Sequence, residues 1–175
     1  MMFEQGAVGE NHFLGDVQHL RVMAQTMMAV GGEPVGLLQT AMSAEIACVL
    51  RYSMIAVSAD GLENEWVATE CAAQAADERE HMVKLAERIK QLGGTPDYFA
   101  VGLATRHMAP EAAKGCLPRL LAENLAAERC VIELYRELSE HFVSDPKTRA
   151  ILDDILADEE THTSDIEDLL TTQLM

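Results

Sequence analysis

Two copies of one short pattern, Glu78-Arg79-Glu80-His81 and Glu159-Glu160-Thr161-His162, set a carboxylate three residues before an imidazole in stretches free of helix breakers. Residues at that spacing on an α-helix project about 60° from one another, so each pair can meet one metal ion. Two further glutamates, Glu45 and Glu128, each stand in a separate helical stretch upstream of one pair. Four carboxylates and two imidazoles form a donor set for two neighbouring first-row metal ions. A single Glu-x-x-His is usually a solvated helix face. Two copies, each with its own upstream glutamate, are not easily produced by chance. Carboxylates inside a helical bundle would also carry a heavy desolvation cost unless cations neutralised them.

The surrounding residues repeat as well. Tyr52 follows Glu45 by seven residues, Tyr135 follows Glu128 by seven, and the strings AEIACVLRY and AERCVIELY look alike. On a helical wheel each tyrosine falls within about 20° of its glutamate. Each can therefore hydrogen-bond a ligand carboxylate, relay electrons, or serve as a core residue with a satisfied hydroxyl. Cys48 and Cys71 lie on the same stripes as Glu45 and Glu78, whereas a straight wheel turns Cys130 about 200° away from Glu128. The four cysteines, Cys116 included, read first as small buried hydrophobes. His12, His19, His107 and His141 have no partner at ligand spacing and read as surface residues, and Met23, Met27 and Met28 as packing.

Helices must position these groups. Residues 1–33 read as an N-terminal extension with a short helix near Val17–Val30. Residues 34–175 read as one bundle domain. Pro34 suits the first turn of a helix over 34–59, broken by Asp60-Gly61. A second helix, 62–92, ends at Gly93-Gly94. A third covers 116–142, and Asp145-Pro146 pairs an N-cap with a first-turn proline to open a fourth over 146–172. Short joins make the first and second helices, and the third and fourth, antiparallel hairpins. The stretch 93–115 is long enough to cross a bundle about 40 Å tall. The expected fold is all-α, an antiparallel four-helix bundle with one long crossover.

Composition narrows the function classes. A formal charge of −16 opposes sequence-independent nucleic-acid binding, which relies on Lys and Arg displacing phosphate counterions. The first 32 residues hold one Arg and no Lys. No Cys-x-x-Cys pair suggests a zinc ribbon. No uninterrupted apolar run reaches about 18 residues, so no membrane span is expected. The start of the chain lacks a secretory pattern, which leads to the expectation of a cytoplasmic protein with reduced thiols.

On these residues the chain resembles the ferritin-like superfamily and, within it, the bacterioferritin and Dps-like branch. The resemblance runs over about residues 34–172. It is carried by Glu45 and Tyr52, by DEREHMVKLAERIKQLGG, by LAAERCVIELY and by ILADEETHTSDIEDLL. It implies two iron ions bridged by Glu78 and Glu159, one also held by Glu45 and His81 and the other by Glu128 and His162. It further implies Fe²⁺ oxidation by O₂ or H₂O₂, with Fe³⁺ stored in a homo-oligomeric shell of about twelve subunits. Haem is not expected, because Arg79 stands where bacterioferritin carries its haem-binding methionine. The thirteen residues after His162 leave no room for bacterioferritin's fifth helix, and the N-terminal extension is more like Dps-type chains that carry an intra-subunit site. Members of that group keep a cysteine pair near the metals, which the AERC string resembles. The competing expectations are a di-iron or di-manganese oxygenase or peroxidase that stores nothing, a DNA-protecting nucleoid protein, and a metal-free bundle.

Overall fold

In the computed structural model, residues 12–59, 64–99 and 117–173 are described. They form five α-helices: α1 His12–Ala29, α2 Pro34–Ser58, α3 Glu65–Gln91, α4 Leu117–His141 and α5 Pro146–Gln173. A short 3₁₀ turn, Phe142–Ser144, joins α4 to α5. No strand occurs among the described residues. Helix α2 packs along α3 and α4 along α5, while α1 lies across α4 and α2. The expected Asp60-Gly61 break, His107, Cys116 and most of the crossover lie outside the described residues.

The helices end where local chemistry requires. At the end of α1, Gly32 N–H donates to the Met27 carbonyl and Gly31 N–H to that of Met28, with Gly31 at φ +70°. The same pattern closes α3, where Gly94 and Gly93 donate to Ile89 and Lys90 and Gly93 sits at φ +82°. Both are Schellman caps, whose left-handed residue glycine adopts without steric cost. Pro34 opens α2 in the first helical turn.

Helix α4 shows how the sequence builds the core. Among its buried residues, Leu120, Leu121, Asn124, Ala127, Glu128, Val131, Leu134, Tyr135 and Leu138 form a stripe at spacings of three and four. Each fully buried leucine contributes about 1.5–3 kcal/mol through removal of apolar surface from water. Helix α1 begins five residues before the sequence suggested, because Phe13, Val17, Leu20 and Ala24 continue one apolar stripe into the core. The guanidinium of Arg51 lies 5.3 Å from the Phe13 ring centre, and Arg21 bonds Glu137 at 2.5 Å, pinning α1 to the bundle. Helix α2 is apolar enough by length and hydropathy to cross a bilayer. However, 61% of its most apolar 18-residue window is buried inside the bundle, and the helix also carries Glu45 and Arg51.

The start of α5 is tied to the end of α3. Asp145 accepts from the Thr148 backbone N–H at 3.2 Å, and Arg88 reaches both Thr148 Oγ1 and Asp145 Oδ2 at 2.7 Å. The Thr148 hydroxyl bond, aided by Arg88, holds the Asp145 carboxyl down at about 2. Asp145→Ala is therefore expected to destabilise the fold by about 1–2 kcal/mol. Because the folded-state value is depressed, this contribution is present above pH about 4 and fades as pH falls towards 2. Thermal melts of both proteins between pH 2 and 7 should converge at the acid end. Equal melting temperatures at neutral pH would remove the cap from this account.

Candidate metal centre

The bundle brings all six ligand candidates into one buried cluster. Glu45 comes from α2, Glu78 and His81 from α3, Glu128 from α4, and Glu159 and His162 from α5; the four glutamates are fully buried. His81 Nδ1 lies 3.1 Å from Glu159 Oε1, 3.3 Å from Glu78 Oε2 and 3.3 Å from Glu45 Oε2. His162 Nδ1 lies 3.2 Å from Glu78 Oε1 and 3.7 Å from Glu159 Oε2. Glu78 and Glu159 thus each offer one oxygen to each histidine, the disposition of a bridging carboxylate. The two imidazole rings stack with centroids 6.0 Å apart.

The outward ring nitrogens are held across the helix pair. His81 Nε2 is 3.1 Å from Asp158 Oδ2 on α5, and His162 Nε2 is 3.6 Å from Asp77 Oδ2 on α3. Asp77 directly precedes Glu78 and Asp158 directly precedes Glu159, and each faces the other helix's histidine. The Asp158 bond turns His81 Nδ1 inward, while Asp77 stands at ion-pair distance from His162. Asp165 lines the same mouth as these two aspartates. That mouth is a cavity of about 200 Å³ between α3 and α5, bordered by His81, His162, Asp77, Glu80, Asp158 and Asp165.

Electrostatics mark the cluster as incomplete without cations. Burial, reinforced by Glu159 and Glu78, pushes Glu45 and Glu128 well above the usual carboxylate range. Burial also acts to raise Glu159, but the neighbouring imidazoliums of His162 and His81 outweigh this and bring it down to about 2. Against the same burial penalty, Glu159 and Glu78 push His162 up to about 11 and drive His81 strongly upward. Neither oxygen of Glu128 has a hydrogen-bond partner, and Glu45 Oε2, Glu78 Oε1 and Glu159 Oε2 also lack one. Buried acceptors in that number are costly unless something binds them. Two divalent cations beside neutral imidazoles would balance the four carboxylates, and the donor set fits them.

The tyrosines behave differently from one another. Tyr135 donates to Glu45 Oε1, a carboxylate on α2 and not the Glu128 of its own helix. Tyr52 is fully buried, its hydroxyl lacks a hydrogen-bond partner, and its ring meets His162 edge-on at 6.2 Å. Among the cysteines, Cys48 lies against Glu78 and Glu128. Burial pushes Cys71 up to about 12, and Cys130 turns towards Arg21 of α1, as the wheel suggested. His19 and His141 are exposed. Sequence reasoning passed over two buried amides, Gln74 and Asn124. Each stands four residues before a site glutamate, Glu78 and Glu128, and that spacing was the available signal.

This fold and carboxylate–histidine cluster define a ferritin-type bundle. The ferritin-like domain family matches residues 35–175, and the chain belongs to that family. It is 31% identical over 141 residues to the DNA protection during starvation protein of Pyrococcus furiosus, covering 77% of this chain and 75% of that protein. A solved structure of the bacterioferritin-related protein from Bacteroides fragilis, described as a dodecameric thioferritin, aligns with a TM-score of 0.65 at 28% identity. The alignment covers 80% of this chain and 85% of that one.

Proposed function

We propose that the protein is a ferroxidase that binds two Fe²⁺ per subunit within its own helical bundle and passes Fe³⁺ into an oligomeric shell. The carrying observation is the pair of fully buried carboxylates, Glu78 and Glu159, each offering one oxygen to each histidine. The dodecameric assembly of the Bacteroides fragilis relative supports a shell of about twelve subunits. Two Fe²⁺, as substrate, give up one electron each, either to O₂, which leaves as H₂O₂ after taking two protons, or to H₂O₂, which takes two protons and leaves as two waters.

The chain's own residues supply the rest. The acidic mouth draws cations inward, and Asp158 keeps the inner imidazole nitrogen of His81 aimed at them. The hard oxygen donors favour Fe³⁺ over Fe²⁺, which assists electron loss. Tyr135 holds Glu45 in place through its hydroxyl. The Pyrococcus furiosus relative is named for DNA protection. For a chain of charge −16, this reading makes protection chemical: oxidation of Fe²⁺ by H₂O₂ removes both reactants of hydroxyl-radical formation.

The test is anaerobic Fe²⁺ loading of the purified protein, then O₂ or H₂O₂, with near-ultraviolet absorbance and particle mass followed together. Two irons oxidised quickly per subunit, then continued uptake into a large particle, is the expected result. Two irons and no more, on a small oligomer, would redirect the assignment to a di-iron or di-manganese oxygenase or peroxidase.

A further inference from the structure

The two halves of the cluster are not equivalent. Around Glu45, Tyr135 donates to one oxygen and His81 Nδ1 sits 3.3 Å from the other. Around Glu128, neither carboxylate oxygen has a hydrogen-bond partner, nor has the hydroxyl of Tyr52, although both residues are fully buried. Cys48, itself fully buried, faces this side. Its Sγ, one oxygen of Glu78 and one of Glu128 all lie within 4.8 Å of one another.

The thiol is one-sided. Cys48 follows Glu45 by three residues, and the corresponding position after Glu128 is Val131, a buried hydrocarbon. The internal repeat therefore places sulfur beside one metal position and an inert side chain at its counterpart. We propose that Cys48 Sγ is a direct donor to the metal ion at the Glu128–His162 position, giving that position a mixed oxygen, nitrogen and sulfur ligand set. The inference rests on the two-metal reading above.

Donors bound to one ion at about 2.0–2.3 Å lie at most ~4.6 Å apart, so a contraction of a few tenths of an ångström brings these three atoms onto a common cation. On binding, the S–H bond breaks, a sulfur–metal bond forms, and the proton leaves to water; no electrons move. A thiolate also softens the site, so this position would favour Co²⁺ or Zn²⁺ more than its oxygen-and-nitrogen neighbour does.

Co²⁺ alone is the probe, added anaerobically to the full chain under reducing conditions, with bound cobalt counted and the optical spectrum recorded. Two Co²⁺ per chain with a near-ultraviolet sulfur-to-cobalt charge-transfer band is expected. The band should vanish in Cys48→Ser and Cys48→Ala and persist in Cys71→Ser and Cys130→Ser, with far-ultraviolet circular dichroism unchanged. Two bound Co²⁺ without the band, or a band that survives both Cys48 changes, would overturn sulfur donation and leave the two-metal reading standing. Absence of bound cobalt would overturn both.

Discussion

Glu78→Ala and Glu159→Ala are each expected to slow Fe²⁺ oxidation by more than ~100-fold. Loss of a residue that merely orients a ligand typically costs 10–100-fold in metal affinity or activity, and these two residues do more than orient. Each directs one oxygen towards His81 and the other towards His162, so removing either opens both halves of the cluster at once. Glu45, by contrast, pairs only with His81 and Tyr135. Stopped-flow absorbance after mixing Fe²⁺-loaded protein with O₂ or H₂O₂ measures the effect. Circular dichroism should show the helices intact, because neither side chain holds the apolar core together. Wild-type rates in both variants would remove the two carboxylates from the chemistry.

Glu128→Met should act in the opposite direction on stability. Without metal, Glu128 is fully buried, neither of its oxygens is hydrogen-bonded, and Glu159 and Glu78 repel its charged form. An unbranched apolar side chain of similar length removes that penalty and keeps the volume filled. Replacing a buried polar group that lacks a partner with an apolar one of the same shape removes a desolvation penalty of about 1–3 kcal/mol. For a chain of this size each kcal/mol moves the melting temperature by roughly 2–4 °C. The metal-free variant should therefore melt several degrees above metal-free wild type. It should also gain less from added Co²⁺, because stabilisation by a ligand follows its affinity for the folded state. Melts with chelator and with metal, at one protein concentration, measure both effects. A metal-free variant that melts well below wild type would make Glu128 a structural residue.

These effects concern residues that spacing alone could identify. Glu78, His81, Glu159 and His162 were legible because a helix fixes the angle between residues three apart, and Glu45 and Glu128 because the two hairpins repeat. The helix ends were legible at Pro34, Gly93-Gly94 and Asp145-Pro146, where backbone conformation or capping chemistry constrains residue type. A wheel gives the direction of a side chain but not the neighbour it meets. Asp77 and Asp158 stand next to Glu78 and Glu159 in the sequence, but which histidine each one meets depends on the offset between α3 and α5. The bond from Tyr135 to Glu45 crosses between helices in the same way. The unequal halves of the site were hidden for the same reason. Cys48 and Val131 are both small, buried and apolar by composition, and only packing places the sulfur against Glu78 and Glu128. The early start of α1 was missed because Gly15 and Asp16 interrupt its apolar pattern, although Phe13 reaches the core.

The most direct measurement is anomalous diffraction at the iron edge from crystals soaked anaerobically in Fe²⁺. Two peaks per subunit are predicted between the Glu78 and Glu159 carboxylates, one beside His81 and Glu45 and the other beside His162 and Glu128. Iron found only in the acidic mouth or on the outer surface, with no peak between those two carboxylates, would contradict the assignment.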